Sequence, residues 1–411
     1  MKIAVLVDLE FSDRAGGHVK YWQRICESLK SKKKRIDITV FFLGNSKKTI
    51  NLTKSIRFQI LKPILSSGIL KKIGVDADHT DLFPLNLYLL FKLKEFDLIH
   101  STDQFFTMAK TAKLASFIWK IPLTTSIHTD TPPYTKYYVK KIIENIFSSL
   151  FNFDKFLIGK LKIPDYFEER MYNKIYRYIK NVNHAMVADK IYSPEYLKKK
   201  TNNLDITKLN RGIDDEVFFI KKEKKFFLCK QYGIPFNDKI IFFTGRVHEL
   251  KGAIHLANIH KKLIESGLSV TTLIAGEGVH AEKCKSIGGD KLILLGYQSQ
   301  EKVAQIYRLC DLFVFPSKFE IGPNVVIEAK ACGAICLVSP GGGGKRIEKN
   351  NYDGLIIEDF CVHIWVKNII DLLKDKKKIK AMKNNINNMR ILSWYEVFKK
   401  DIFPIWEKYK K

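Results

Sequence analysis

Short apolar segments alternate with longer amphipathic segments along most of this chain. The first apolar segment, Lys2–Val7, is followed by the turn Gly16-Gly17 and then by a helical pattern from about residue 19 to residue 34. Strands that are apolar along their whole length are typical of parallel sheets covered by helices on both faces. The alternation therefore predicts an α/β fold built from doubly wound parallel sheets.

The predicted strands fall into two series, which indicates two domains. They are Ile36–Leu43, Leu98–Ser101, Leu123–Ile127 and Ala185–Ala188 in the first half, and Ile240–Thr244, Thr271–Ala275, Leu292–Leu295, Leu312–Pro316 and Ile335–Ser339 in the second. Helices of the second half are predicted at 252–266, 299–309, 325–333 and 362–373. We place the boundary near residue 206, which gives domains 1–205 and 206–390. Ligands of open α/β sheets bind beyond the carboxyl ends of the strands, so two such domains facing each other are expected to form a deep cleft.

The chain is strongly basic, since 70 Lys and Arg residues against 43 Asp and Glu residues give a formal charge of +27 over 411 residues. Such a balance favours polyanionic partners, such as nucleic acid, anionic lipid head groups or phosphorylated glycans. The sequence carries no helix-turn-helix or RNP-type signature, so a nucleic-acid-binding protein is an alternative that only the net charge suggests.

The seven cysteines form no C-x-x-C and no cluster with histidines. A disulfide scaffold and a structural zinc site are therefore not expected, and reduced thiols indicate the cytoplasm. Apolar runs also stay well short of the ~20 residues that a membrane span needs. We expect a cytoplasmic protein.

The most specific chemical signal is an E-x7-E element that runs from Glu320 to Glu328. Gly322, Pro323, Asn324 and Val325 lie inside it. The element follows an apolar strand, so Glu320 is predicted in a loop and Glu328 about one turn into the next helix. The start of that helix offers free N–H groups to an anion, while a carboxylate accepts hydrogen bonds from sugar hydroxyls. The alternative is a capped surface helix with two unrelated acids.

A second signal places two cations after the strand Ile240–Thr244. Arg246 and Lys251 follow it in the segment Gly245–Gly252. Arginine binds phosphate in bidentate fashion and lysine supplies a point charge, so the pair is suited to stabilise a departing diphosphate. The alternative is solvated loop charge.

Two weaker signals lie in the first half. Gly16 and Gly17 form a first βα turn that lets a ligand approach the backbone closely, although the turn lacks the G-x-G-x-x-G dinucleotide pattern. His128 and Asp130 follow the strand Leu123–Ile127 and are predicted at the edge of the cleft. The alternatives are a glycine turn without a ligand and a structural histidine.

Together these elements resemble the retaining GT-B glycosyltransferases of family 4, over most of the chain. The resemblance rests on the E-x7-E element and on the Gly245-Arg246-x4-Lys251-Gly252 turn. Further matches are Gly276-Glu277-Gly278, Leu295-Gly296-Tyr297 and Arg211-Gly212-Ile213-Asp214. The element His128-Thr129-Asp130, with Pro133 and Tyr134, resembles members of the family that glycosylate membrane lipids or lipid-linked glycans.

The resemblance implies a GT-B fold of two Rossmann-like domains. The first would bind the acceptor, through Asp130 and Tyr134 among others, and residues 391–411 would return to it as a helix that Pro404 breaks. The second would bind the nucleotide sugar. The residues that would form the catalytic and donor site are Glu320, His128, Arg246, Lys251, Gly16, Gly17, Gly276, Tyr297, Gly322, Pro323, Asn324, Val325 and Glu328.

The implied activity is the transfer of a hexose-type sugar, with retention, to a glycan or lipid-linked acceptor in cell-surface polysaccharide or glycolipid synthesis. Within this fold class the alternative is a sugar-nucleotide epimerase, while a phosphorylase would need a pyridoxal-phosphate lysine that we do not identify. The one D-x-D, Asp76-Ala-Asp78, lies away from the donor motifs, so we expect neither metal nor cofactor. The family usually has an acid near Arg346, so the local loop is expected to differ.

The segment 136–162 combines lysines with aromatic residues. As a basic amphipathic helix it would suit an anionic membrane surface, and the protein would then be peripheral on the inner face of the plasma membrane. The alternative is an ordinary helix whose aromatic residues face the core.

Overall fold

The computed structural model describes residues 1–12, 15–32, 36–69, 79–147, 153–187, 197, 205–318, 320 and 322–410. The motif Asp76-Ala-Asp78 lies outside these described residues. The chain divides into two compact units, the first formed by Met1–Asn210 with Trp394–Lys411 and the second by Arg211–Ser393. The boundaries expected from the sequence were after residues 205 and 390.

The first unit is built on an eight-stranded sheet. Its strands are β1 (Lys2–Glu10), β2 (Asp37–Leu43), β3 (Lys48–Asn51), β4 (Ile56–Leu61), β5 (Leu98–Ser101), β6 (Leu123–Ile127), β7 (His184–Val187) and β8 (Asp205–Lys208). The strand order is β3-β4-β2-β1-β5-β6-β7-β8. All neighbours are parallel except β3 and β4, which form an antiparallel edge hairpin that the sequence reading missed. The edge strand β3 is polar and mostly exposed, so it gives little of the apolar signal that identified the other strands. Strand β4 lies between β3 and β2, and its buried Ile56, Phe58 and Ile60 alternate with half-buried residues.

Helices of the first unit connect these strands. They are α1 (Gly17–Ser28), α2 (Leu87–Lys92), α3 (Thr107–Trp119), α4 (Thr131–Phe147), α5 (Phe153–Lys155) and α6 (Ile163–Ile179), with a π-helical turn at Phe156–Lys160. The structure describes the basic aromatic segment 136–162 only in part. It comprises most of α4, the short α5 and the π-helical turn, and residues 148–152 between them lie outside the described part.

The second unit is a six-stranded, fully parallel sheet with helices between its strands. The strands are β9 (Lys239–Thr244), β10 (Val270–Ala275), β11 (Leu292–Gly296), β12 (Leu312–Phe315), β13 (Cys336–Val338) and β14 (Leu355–Ile356), in the order β11-β10-β9-β12-β13-β14. The helices are α7 (Lys225–Tyr232), α8 (Ala253–Glu265), α9 (Ala281–Gly288), α10 (Gln300–Leu309), α11 (Asn324–Ala331), α12 (Val362–Lys374) and α13 (Lys376–Asn387). Ile240–Phe243 of the central strand are fully buried, as its position between two covered faces requires. The predicted pair of doubly wound α/β units is confirmed.

The end of the chain packs into the first unit. It contains α14 (Trp394–Val397), a π-helical segment at Phe398–Ile402 and α15 (Phe403–Tyr409). Pro404 lies in the first turn of α15, directly after the π-helical segment, where a missing N–H costs little. Trp406 of α15 is fully buried and stacks on Trp22 of α1 with ring centroids 6.0 Å apart.

Candidate functional site

Three turns at the carboxyl ends of β9, β10 and β11 are joined by backbone hydrogen bonds. The N–H of Gly245 donates to the carbonyl oxygen of Ala275 at 3.0 Å, and that of Gly276 to Gly296 at 2.7 Å. Because parallel strands end at the same edge of a sheet, these bonds hold the motif residues of three separate segments in one layer. The structure thus brings together the segments that contain Arg246, Gly276 and Tyr297. The side chains of Arg246 and Tyr297 are exposed there.

Gly276 has a structural reason to be glycine that involves no ligand. Its φ is +138°, and a Cβ at this position would lie 1.9 Å from the carbonyl oxygen of Gly245. A Cβ on Gly278 would lie 2.3 Å from the carbonyl oxygen of Val247. The G-x-G turn is therefore required for the close packing of two neighbouring turns, whatever it binds.

Lys251 and Glu320 meet at the adjoining edge of the sheet, where the chain leaves β9 and β12. Lys251 Nζ donates a hydrogen bond to Glu320 Oε1, although the two residues are 69 positions apart. Ser317 supports the contact, because its Oγ donates to the carbonyl oxygen of Leu250 at 3.1 Å and lies 3.5 Å from Glu320 Oε1. Both charged side chains are partly buried. A cation and a carboxylate are thus held side by side at the edge where ligands of such sheets bind.

Gly252 allows the turn that carries Lys251 to lie close to the end of β12. The residue has φ +79°, and a Cβ would lie 2.2 Å from the carbonyl oxygen of Pro316. The N–H of Lys318 also donates to the carbonyl oxygen of Leu250 at 3.2 Å. The meeting of Lys251 with Glu320 therefore depends on a glycine next to the lysine.

Helix α11 begins directly after the Glu320 loop. Pro323 occupies its N-cap position without a side-chain cap, and the Asn324 side chain donates to the carbonyl oxygen of Gly212 at 3.4 Å. The first turn thus presents backbone amides, and α11 brings the positive end of its dipole to this edge.

Glu328 lies on the same helix but is only 4% exposed. Burial raises the pKa of the neighbouring Tyr307 well above its usual value, and the negative charge of Glu328 adds to this. Tyr307 donates its hydroxyl to the carbonyl oxygen of Val325 at 3.0 Å. The carboxylate of Glu328 is buried, whereas that of Glu320 is partly exposed.

Arg346, where the resemblance predicted a departure, lies against the E-x7-E loop. A Cβ on Gly322 would lie 2.0 Å from Arg346 Nη2, so only glycine leaves room for the guanidinium there. The loop arrangement thus includes an arginine that approaches the backbone at Gly322.

The sequence reading also missed a buried ion pair behind this loop. Lys330 Nζ lies 2.5 Å from Asp353 Oδ2, and the two side chains are 2% and 0% exposed. Lys330 also donates to the carbonyl oxygen of Arg346 at 2.9 Å, while Asp353 accepts the N–H groups of Glu348 and Lys349. The pair fastens the loop of Arg346 to α11. In the sequence both residues look like ordinary surface charges.

In the first unit, Gly16 and Gly17 lie exposed at the start of α1. Gly16 is the N-cap residue without a side-chain cap, and a Cβ on Gly17 would meet nothing within 4 Å. No described neighbour in the unit therefore explains why residue 17 is glycine. The open space leaves the backbone accessible to a ligand.

His128 lies at the carboxyl end of its strand, and only 6% of the residue is exposed within the first unit. It follows β6 directly, and α1 covers its ring: His18 stacks on it with centroids 4.5 Å apart, and Tyr21 contacts it edge-on at 4.7 Å. His128 Nε2 lies 2.7 Å from Ser126 Oγ. Asp130 and Tyr134, at and near the start of α4, are half-buried.

Two parallel-sheet, Rossmann-like units define the class of the fold, which is GT-B. Sucrose-phosphate synthase from Thermosynechococcus elongatus shares it with a TM-score of 0.71 and 15% identity, over 99% of this chain and 98% of that one. Anabaena HepE in complex with UDP and glucose shares it with a TM-score of 0.68 and 15% identity, over 99% and 100%. These likenesses show the fold.

Residues 224–389 match the family model of glycosyl transferases group 1. The UDP-Gal:alpha-D-GlcNAc-diphosphoundecaprenol alpha-1,3-galactosyltransferase of Escherichia coli is 27% identical over 205 residues, which are 48% of this chain and 52% of that protein. The D-inositol 3-phosphate glycosyltransferase of Segniliparus rotundus is 25% identical over 161 residues, 37% of this chain and 36% of that protein. The chain thus spans about half the length, or less, of these curated relatives. The chain therefore shares the GT-B fold, and most of its second unit is similar to glycosyl transferases group 1.

Proposed function

We propose that this protein is a retaining glycosyltransferase that moves a hexose-type sugar from a nucleoside-diphosphate sugar to a glycan or lipid-linked acceptor. The observation that carries the proposal is the contact of Lys251 with Glu320 beside the uncapped start of α11, in a unit that matches a glycosyltransferase family. A cation, a carboxylate and free amides at one edge of a parallel sheet suit the phosphates and hydroxyls of such a donor.

In the proposed reaction the second unit binds the donor. Arg246 and Lys251 neutralise the diphosphate as it leaves, and Glu320 accepts hydrogen bonds from the sugar near its 3-hydroxyl. The amides of 322–325 assist, and Glu328 takes the ribose hydroxyls once ligand binding uncovers it. Gly276 and Tyr297 border the nucleotide. From the first unit, Gly17 is assigned to the diphosphate and His128 to the sugar.

The proposed step is a front-side displacement. The bond from the anomeric carbon to the diphosphate oxygen breaks, and a bond from the acceptor oxygen forms on the same face through an oxocarbenium-like state. The proton of the acceptor hydroxyl passes to the leaving phosphate oxygen, so the configuration is retained. Because Arg246 and Lys251 supply the positive charge, we propose that the donor is used without a metal ion, and EDTA should leave the rate unchanged.

The test of this function is transfer from UDP- and GDP-sugars, screened first by thermal shift, because a ligand that binds only the folded state raises its apparent stability. Glu320→Ala and Lys251→Ala should each abolish transfer while circular dichroism stays native. The matched control is Lys239→Ala, which removes a lysine that pairs with Asp311 at 3.3 Å, at the opposite end of β9. Full activity in either site variant would overturn the assignment.

The rival within the fold is a sugar-nucleotide epimerase. Release of nucleoside diphosphate only when an acceptor is present supports transfer, whereas conversion of the sugar nucleotide without acceptor would overturn it. A nucleic-acid-binding protein of this charge would show binding that weakens steeply with salt.

For the acceptor we propose a lipid-linked glycan at an anionic membrane surface, reached from the cytoplasmic side with help from Asp130 and Tyr134. The described residues contain no helix that is long and apolar enough to cross a membrane. Around the π-helical turn, however, Phe153, Phe156 and Leu161 are 44%, 42% and 53% exposed, and Lys155, Lys160 and Lys162 lie among them. Exposed aromatic residues interleaved with lysines suit an interface of acyl chains and anionic head groups. We call residues 153–162 the basic aromatic tip.

A further inference from the structure

An open groove of about 370 Å³ lies on the first unit and contains none of the residues proposed for the donor or the acceptor. It is lined by Lys110, Lys113, Leu114, Ser116 and Phe117 of α3, and by Asn181, which lies just after α6. None of these described lining residues is acidic. A space of this size can hold a small organic molecule, and the charges around it decide which kind.

The lining residues of α3 lie along one face of the helix. Lys110, Lys113, Leu114 and Phe117 recur at spacings of three and four residues, which places them in one stripe. Both lysines are exposed, Phe117 is 71% exposed, and Lys120 Nζ lies 4.7 Å from the centroid of its ring. Helix α3 carries no acidic residue. The stripe therefore combines positive charge with an accessible aromatic ring.

Helix α6 adds positive charge beside this stripe. Burial lowers the pKa of Lys174, and the charges of Arg170, one turn earlier on α6, and of Lys110 on α3 lower it further. Like charges act in this way only when they lie close together. Lys174 is therefore near enough to α3 for one anion to interact with both helices.

Two acids of α6 are held by a lysine from another helix. Lys136 Nζ of α4 lies 2.6 Å from Asp165 Oδ1 and 3.0 Å from Glu168 Oε2. Within the described part of the chain, Arg170 and Lys174 form no ion pair. The positive charge of α6 on the side of α3 is thus left for an anion from solution.

Asp103 lies near Lys110, but it interacts mainly with the backbone. Its Oδ1 accepts the N–H groups of Phe105 and Phe106, both at 2.9 Å. Burial raises the pKa of Asp103 to about 6, and these hydrogen bonds and the charge of Lys110 oppose that rise only in part. A close ion pair would hold the pKa of the carboxyl below its usual value. Lys110 is therefore not neutralised by this acid.

A buried tyrosine fixes the separation of the two helices. The hydroxyl of Tyr178 on α6 lies 3.2 Å from the carbonyl oxygen of Ala109 on α3 and 2.8 Å from Ser101 Oγ at the end of β5. Tyr178 is only 6% exposed, so this contact belongs to the packed core. The cations of both helices stand on a preformed frame, and a ligand need not pay to draw them together.

We propose that this groove, the α3–α6 groove, binds a phosphate ester, with its phosphate between Lys110, Lys113 and Lys174 and its organic group against Phe117. Lysine supplies a compact positive charge to phosphate. An exposed aromatic ring beside the charges favours an ester over inorganic phosphate, because it offers the organic group an apolar contact. The groove is independent of the proposed transferase activity, since it shares no residue with that site.

Acetylation of lysines in the full chain, quantified residue by residue by mass spectrometry, tests the groove. With phenyl phosphate at about ten times its Kd, acetylation of Lys110, Lys113 and Lys174 should slow about tenfold, because the bound form is protected. Lys48 and Lys54, exposed on the hairpin of β3 and β4, are the controls and should keep their rates. Equal slowing of all five lysines, or slowing of none, would overturn the proposal.

Two more compounds identify the source of the ester. Inorganic phosphate should protect the same lysines only at higher concentration than phenyl phosphate. Dihexanoyl phosphatidic acid, used below its critical micelle concentration, presents a phospholipid head group in soluble form. Stronger protection by the phospholipid assigns a lipid head group, and stronger protection by phenyl phosphate assigns a free ester. Both results support the groove, whereas equal protection by all three compounds would overturn the contact with an organic group.

Substitutions separate the two halves of the site. Lys174→Gln should weaken the protection of Lys110 by each compound, while Lys54→Gln should not. Phe117→Ser should remove the preference for phenyl phosphate over inorganic phosphate, and the control Phe91→Ser replaces a phenylalanine of α2 that is 64% exposed. Unchanged protection of Lys110 in Lys174→Gln, or an unchanged preference in Phe117→Ser, would overturn the arrangement. All these side chains are exposed, so their loss leaves the fold intact.

Discussion

Lys251 Nζ donates a hydrogen bond to Glu320 Oε1 in the second unit. The carboxylate therefore neutralises part of the charge that a diphosphate would meet. We expect the two partners to respond in opposite ways to substitution. Glu320→Gln should bind UDP or GDP several-fold more tightly, because Lys251 is no longer paired, while Lys251→Met should bind it at least tenfold more weakly. Isothermal titration calorimetry measures both, and Lys239→Met is the control. Weaker binding by Glu320→Gln would contradict this arrangement.

The basic aromatic tip should bind anionic vesicles. Replacing Lys155, Lys160 and Lys162 together by glutamine should abolish sedimentation with vesicles that contain anionic phospholipid, because each lysine near such a surface contributes about 1 kcal/mol. The control replaces Lys374 at the end of α12 and Lys376 and Lys377 at the start of α13 by glutamine. These lysines are also exposed, so the control removes the same charge from the second unit. Equal loss of binding in both triple variants would show that net charge alone is responsible.

The glycine at 276 should be far less replaceable than another glycine of positive φ. Gly276→Ala places a Cβ 1.9 Å from the carbonyl oxygen of Gly245, so the two turns must separate. We expect the free energy of unfolding to fall by several kcal/mol and the melting temperature to fall with it. Gly267 has φ +81° with nothing within 4 Å of its Cβ position, so Gly267→Ala should cost only about 1 kcal/mol of backbone strain. Similar melting temperatures of the two variants would refute the close packing of the turns.

Asp353→Asn should destabilise the second unit strongly. Lys330 would keep a buried charge without its carboxylate, a change that typically costs about 3–5 kcal/mol. The matched control is Glu265→Gln, which breaks the exposed pair of Glu265 with Lys262 and should change little. Urea unfolding quantifies both. If Asp353→Asn behaves like the control, the pair does not fasten the loop of Arg346 to α11.

Stability of the second unit should decline in mild acid through His260. This residue is fully buried on α8, its Nδ1 lies 2.9 Å from Thr272 Oγ1, and burial lowers its pKa from 6.5 to about 4. The unfolded chain takes up a proton below pH 6.5, whereas the folded chain does so only near pH 4. The stabilisation is thus present above pH 6.5 and is lost as the pH falls towards 4, by about 2 kcal/mol between pH 7 and pH 5.

His260→Asn should flatten that dependence, since asparagine does not titrate. The measurement is urea unfolding at pH 7, 6 and 5, with exposed His363→Asn as the control. An unchanged slope in His260→Asn would assign the acid sensitivity to other groups.

The central strands could be predicted from the sequence because burial on both faces leaves an apolar signature. The bounds of β5 and β6 are those that the sequence indicated, 98–101 and 123–127. Strand β3 left no such signature because it is a polar, mostly exposed edge strand, whereas Ile56, Phe58 and Ile60 of β4 do alternate with half-buried residues as a strand requires. A local pattern also cannot show that Pro404 falls in the first turn of a new helix segment.

From the sequence, only those residues of the candidate site that belong to recognisable motifs could be predicted. Lys251 and Glu320 could be named separately, but their contact depends on Gly252 and Ser317, whose roles appear only when two loops meet. Lys330 and Asp353 look like surface charges until the fold buries them. The contacts of His100 with Thr124 and Ser126 depend on alternation along one strand and on the register with its neighbour, and neither leaves a compositional trace.

The return of Trp394–Lys411 to the first unit has a consequence for synthesis of the chain. Trp406 contacts His100 with ring centroids 5.8 Å apart, yet the ribosome makes it only after all of 211–393. At about 5–20 residues per second, that interval lasts roughly ten to forty seconds. During it the nascent first unit holds His100 beside Trp22 without its second tryptophan, while the second unit is already long enough to fold. His100 therefore gains its contact with Trp406 only after the second unit has been synthesised.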